Sequence, residues 1–147
     1  MSTAAQAPLI KILLVEDSPT DVMITREALK RQNILNPLDV AEDGIKAMEY
    51  LNDAARQGLH ALPGLILLDL NLPRKNGREV LQEVKDDPVL RTIPVVVLTT
   101  SSAQEDVLKS YGLHANCYIV KPVDFQTFAE SVRVLNDFWF SIVTLPR

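Results

Sequence analysis

Pro63-Gly64-Leu65-Ile66-Leu67-Leu68-Asp69-Leu70-Asn71-Leu72-Pro73 is the stretch on which the reading of this chain turns. A Pro-Gly turn releases a short apolar run, the run ends on one carboxylate, and Pro73 blocks its continuation four residues later. An apolar run bounded by turn signals reads as a strand buried on both faces, as in a parallel sheet with helices on either side. Asp69 then projects from the carboxyl edge of that sheet, where open α/β sheets carry ligands and chemistry. A lone aspartate in such a place is more commonly a turn cap. The other strand ends therefore have to decide between the two readings.

Outward from that strand, the same pattern recurs on both sides. Residues 9–15 are apolar apart from Lys11 and end on Glu16-Asp17; Ser18-Pro19 then supplies a helix cap and a first-turn proline. A helix is expected to about residue 32, with Val22, Ile24, Ala28 and Leu29 inward. Residues 38–41 form a short strand, Asp43 caps a helix from 44 to about 56 with Ile45, Met48 and Leu51 inward, and Gln57-Gly58 ends it. After the central strand, Asn76-Gly77 reads as a turn. Residues 78–85 form a helix with Val80, Leu81 and Val84 inward, ended by Asp87-Pro88. Residues 93–98 make a β-branched strand ending on Thr99-Thr100; a helix capped by Ser101 or Ser102 reaches residue 111, and Gly112 closes it. Residues 115–120 form a fifth strand ending on Lys121-Pro122, and Asp124 caps a last helix to about residue 140. Five βα repeats predict a doubly wound α/β fold with a five-stranded parallel sheet and right-handed crossovers. Residues 1–8 are expected to be a flexible leader and residues 9–147 one domain, with no linker and no output domain.

Composition narrows the function. The chain has 147 residues, 47% of them hydrophobic, which suits one folded domain rather than a disordered segment. Net charge is −4 and no basic cluster stands out, so a nucleic-acid partner is not expected. The apolar runs are too short to span a membrane, residues 1–8 lack the features of a signal peptide, and a cytoplasmic protein is expected. Cys117 is the sole cysteine and makes no internal disulfide; His60 and His114 have no partners at metal-ligand spacing.

Parallel strands bring Glu16, Asp17, Asp69, Thr99 and Lys121 to one edge. Three crowded carboxylates repel one another, and a hard divalent cation relieves them. Few protein ligands, all oxygen, suit Mg²⁺, with Mn²⁺ or Ca²⁺ able to replace it in crystals. A lysine and a hydroxyl beside a metal-bound carboxylate are what a transferred phosphoryl group requires, and a carboxylate that receives it is a covalent nucleophile.

The segments Leu13-Leu14-Val15-Glu16-Asp17, Leu67 to Gly77, Val97-Leu98-Thr99-Thr100 and Tyr118-Ile119-Val120-Lys121-Pro122 resemble the receiver domains of two-component response regulators. Within that family, Gly77 to Leu81, Asn116-Cys117-Tyr118, Phe138-Trp139 and Val143 to Pro146 resemble small cyanobacterial phytochrome response regulators. The resemblance implies a flavodoxin-like receiver fold with strand order 2-1-3-4-5. It implies a phosphoryl group accepted on Asp69 from a sensor histidine kinase of phytochrome type. Glu16 and Asp17 match the acidic pair that holds Mg²⁺, and the Asn71 carbonyl matches a third ligand. Thr99 and Lys121 match the groups that meet the phosphoryl oxygens, and Tyr118 matches the aromatic switch. Thr100 stands where many receivers carry Ala or Gly, a position that bears on the width of the phosphate entry and the lifetime of the phosphorylated state. Family geometry also implies a cis Lys121-Pro122 bond.

Two other classes compete. A phosphatase of haloacid-dehalogenase type wants a second aspartate two residues after the nucleophile, and Asn71 cannot supply its acid. A flavodoxin-like FMN protein wants a phosphate-cradling loop after the first strand, where Glu16-Asp17 puts negative charge. The expected activity is therefore that of a phosphoryl acceptor, not of a turnover enzyme. The last helix is expected to be apolar around much of its end, with Val134, Phe138 and Phe140 flanking its inward stripe, and a homodimer through that helix and the fifth strand follows.

Overall fold

The structure, a computed structural model, describes residues 9–72, 74–99, 102–110, 112–113, 115, 117–120, 130 and 133–134. In chain order they form β1 (Ile12–Val15), α1 (Pro19–Arg31), β2 (Leu38–Ala41), α2 (Gly44–Gln57), β3 (Leu65–Asp69), α3 (Gly77–Asp86), β4 (Val95–Thr99), α4 (Ser102–Ser110) and β5 (Cys117–Val120). The strands make one five-stranded sheet in the order β2-β1-β3-β4-β5, all parallel, as expected.

Alternation along the strands sorts the core into two layers. Leu13, Val15, Ile66, Leu68, Val95 and Val97 face one side and pack with Met48 and Leu51 of α2, Val80, Leu81 and Val84 of α3, and Leu108 of α4. Ile12, Leu14, Leu65, Leu67, Val96 and Leu98 face the other and pack with Leu29 of α1 and Ile34. β3 is buried along its whole length, because it lies between β1 and β4 with a core layer on each face.

Two expected core positions lie outside. Ile24 and Ile45 are 50% and 42% exposed. At about 100° per residue, the α1 stripe that meets the sheet runs through Val22, Thr25 and Leu29, which turns Ile24 away. Thr25 can be buried there because its hydroxyl donates to the Asp21 carbonyl at 2.8 Å. In α2 the stripe runs through Gly44, Ala47, Met48, Leu51 and Ala54, one residue out of step with Ile45.

Local chemistry sets the ends of the helices that frame the site. Ser18 caps α1, accepting from the Asp21 N–H at 3.2 Å, and Pro19 occupies the first turn. Asp43 caps α2, accepting from the Lys46 N–H at 2.8 Å. Asn76 is not the middle of a free turn but the cap of α3. Its side chain accepts from Glu79 N–H at 3.0 Å, and Glu79 returns to the Asn76 N–H at 3.1 Å. That reciprocal pair is the capping box that Asn76-Gly77-Arg78-Glu79 encodes.

Candidate functional site

Register delivers the site. Val15 stands opposite Leu68 and Asp69 opposite Leu98, so the residues that follow β1, end β3 and end β4 emerge together at the carboxyl edge. The Glu16 N–H still donates to Ala41 at 3.0 Å, prolonging the ladder by one residue and fixing the point at which that side chain departs. Glu16 is 3% exposed, Asp69 is 2% exposed, and Asp17 opens to solvent. One carboxylate oxygen from each of Glu16, Asp17 and Asp69 lies within 4.8 Å of the other two.

The chain orients these groups from the backbone. A Glu16 oxygen accepts from the Ser18 N–H at 3.2 Å. Asp69 Oδ1 accepts from the Asn71 N–H at 2.9 Å. The loop that follows Asp69 is closed by Gly77, whose N–H donates to the Leu70 carbonyl at 3.2 Å. A side chain on Gly77 would meet the Asp69 carbonyl oxygen and the Leu70 Cα at 2.6 Å each, so only glycine lets α3 begin this close to the carboxyl end of β3.

A donor set of carboxylate oxygens, two of them buried and one open to water, fits a hard divalent cation that keeps part of its hydration shell. Like charges brought this close repel one another, and a divalent cation relieves that repulsion.

Thr99 is the last residue of β4, and Val120 of β5 lies beside it in register. Tyr118 belongs to β5 with its backbone opposite Val97. Val134 is 65% exposed. Lys121, the Lys121-Pro122 bond, Thr100, Phe138 and Phe140 lie outside the described residues, as do the side chains of Thr99 and Tyr118.

Two features beside the site were not anticipated from the sequence. Arg74 takes a left-handed backbone conformation (φ 63°) and its guanidinium meets the buried Asp43 carboxylate at 3.4 Å. The Gln104 side chain of α4 donates to Asn71 Oδ1 at 3.1 Å. Neither leaves a motif, because the partners in each pair lie far apart in sequence and meet only through the fold.

Comparison with known proteins gives a consistent result. A profile of the response regulator receiver domain matches residues 12–133. The response regulator Rcp1 of Synechocystis sp. is 46% identical over 146 residues, covering 99% of both chains. The manganese-bound form of Rcp1 superposes with a TM-score of 0.66, covering 94% of this chain and 99% of that one at 46% identity. The phosphorylated cyanobacterial phytochrome response regulator RcpA superposes with a TM-score of 0.69, covering 95% and 100% at 44% identity.

Proposed function

Because this chain belongs to the response regulator receiver family and is closely related to phytochrome response regulators, we propose that Asp69 is the residue that accepts the phosphoryl group. The donor is a phosphohistidine on a sensor histidine kinase of phytochrome type. The observation that carries this reading is the convergence of Glu16, Asp17 and Asp69 within 4.8 Å at the carboxyl edge.

An Asp69 carboxylate oxygen attacks phosphorus. The phosphorus–nitrogen bond to the donor imidazole breaks, its electron pair stays on the ring nitrogen, which takes up a proton, and an acyl phosphate forms on Asp69. The Asn71 N–H, bonded to Oδ1, fixes the carboxylate's rotamer, so the nucleophile is presented in one orientation. Glu16, Asp17, Asp69 and the Asn71 carbonyl would hold Mg²⁺, which supplies positive charge against the developing charge on the phosphoryl oxygens. Thr99 and Lys121 meet those oxygens, and Tyr118 relays the change. In support of a divalent ion, the relative Rcp1 has a manganese-bound form. In support of a phosphorylated state, RcpA has one.

The protein acts once per phosphorylation rather than by turnover, resides in the cytoplasm, and signals through protein contacts, with neither nucleic acid nor membrane as partner. Among the described residues no helix is long and apolar enough to cross a membrane. A second copy of the chain is one such contact, through Val134, Phe138 and Phe140; the exposed Val134 side chain supports it. Light scattering at micromolar concentration tests it, with a dimer mass expected for the wild type and a monomer mass for Phe138→Asp. The phosphoacceptor reading is tested by phosphotransfer from histidine kinases of the source organism. Mg²⁺-dependent label on Asp69 is expected, and label on Glu16 or Asp17 instead would overturn it.

A further inference from the structure

The loop between β3 and α3 is held in two different ways. Toward α2 it is anchored. Arg74 pairs with Asp43, which is buried and also caps α2. Gly44 lets the Lys75 carbonyl come so near that a Cβ at 44 would stand 2.0 Å from its oxygen. Toward α4 the loop is joined by an exposed amide–amide hydrogen bond, from Gln104 Nε2 to Asn71 Oδ1, between residues 33 apart in sequence. Asn71 is also the residue whose N–H holds Asp69 Oδ1. Gln104, Asn71 and Asp69 therefore form a continuous hydrogen-bonded path from the first turns of α4 to the carboxylate.

Resting on the reading of Asp69 as phosphoacceptor, we propose that Gln104 is a positioning residue for phosphoryl transfer. It holds the Asn71 side chain, which keeps the Asn71 N–H on Asp69 and the carboxylate in its reactive orientation. It acts through Asn71 rather than on the reacting atoms. The bond from Gln104 is thus a latch between α4 and the loop. A bond to a side-chain amide on the surface is easily broken, whereas Asp43 and Gly44 hold the loop through a buried charge and backbone contact.

The test uses the full chain with phosphoramidate as donor at saturating Mg²⁺. It compares the wild type, Gln104→Met, Asn71→Ala and the double variant. Methionine keeps the length and helix preference of glutamine but offers no donor. Gln104→Met is expected to slow labelling about threefold to tenfold and to speed hydrogen exchange of the Asn71 amide by a similar factor, with an unchanged urea midpoint. Added to Asn71→Ala, it is expected to do nothing more, because it acts through Asn71. Wild-type labelling with an unaffected Gln104→Met rate, or fully additive losses in the double variant, would overturn the proposal. If the wild type takes no label on Asp69, the phosphoacceptor reading itself falls. Asn71 amide exchange in Gln104→Met then still decides the latch: unchanged exchange removes it, faster exchange retains it.

Discussion

At the amino edge of the sheet, the Gly64 N–H donates to Lys11 at 2.8 Å, the Ile66 N–H to Pro94 at 2.9 Å, and the Asn36 side chain to Ile10 at 2.8 Å. These polar groups are matched by neighbours, and Gly64 sits directly against the Ile10 side chain. At the carboxyl edge, three carboxylates converge within 4.8 Å, and two of them are buried. One edge is arranged for stability. The other gathers like charges. The two edges belong to the same strands, so the like charges gathered at one end are carried by the same core that closes the other.

The largest expected effect isolates the carboxyl edge. Asp69→Asn removes the nucleophile while keeping its shape, and should abolish phosphoryl labelling from a phosphohistidine donor, read by autoradiography. Residual label on that variant would mean that the edge has a second acceptor.

Glycines test both edges with the same substitution. Gly64→Ala drives a methyl to 2.5 Å from Ile10 Cβ, and Gly77→Ala drives one to 2.6 Å from the Asp69 carbonyl oxygen. Each should cost about 1–3 kcal/mol in urea unfolding. Only Gly77→Ala should also slow labelling, since its obstacle is the backbone of Asp69 itself. Equal slowing by both would show that the edges are not mechanically separate.

A smaller effect has the opposite sign. In metal-free protein at low salt, Asp69→Asn relieves like-charge repulsion across separations of up to 4.8 Å and should stabilise the fold by about 1 kcal/mol. Mg²⁺ binding to the folded state alone should raise the urea midpoint of the wild type, and raise it less in the variant. A destabilised metal-free Asp69→Asn would mean that the bond from the Asn71 N–H outweighs the repulsion. The smallest effect concerns the loop's exit. Asn76→Ala removes one half of the capping box and should cost about 1 kcal/mol with little change in labelling.

Strand ends and helix caps were legible in the sequence because they depend on neighbours a few residues apart. The apolar run before Asp69, Ser18-Pro19 before α1 and Asp43 before α2 all state their roles locally. Five such βα units imply a parallel sheet, and a parallel sheet gathers Glu16, Asp17 and Asp69 without further information. Helix faces were legible less well. Ile24 and Ile45 satisfy an apolar count, but the rotation of α1 and α2 is set by what the sheet accepts, and Thr25 and Ala47 fit closer to it.

What only the tertiary structure decided is how Asp69 is held. Arg74 with Asp43 and Gln104 with Asn71 are contacts across 31 and 33 residues. They join residues that any surface could carry. Nothing in their spacing marks them, because each pair is created by the packing of a loop against the end of a helix. The sequence determined which groups reach the edge, through the period and punctuation of its strands. Their orientation, and the contacts of α2 and α4 with the loop between them, came from distances that exist only once the sheet has formed.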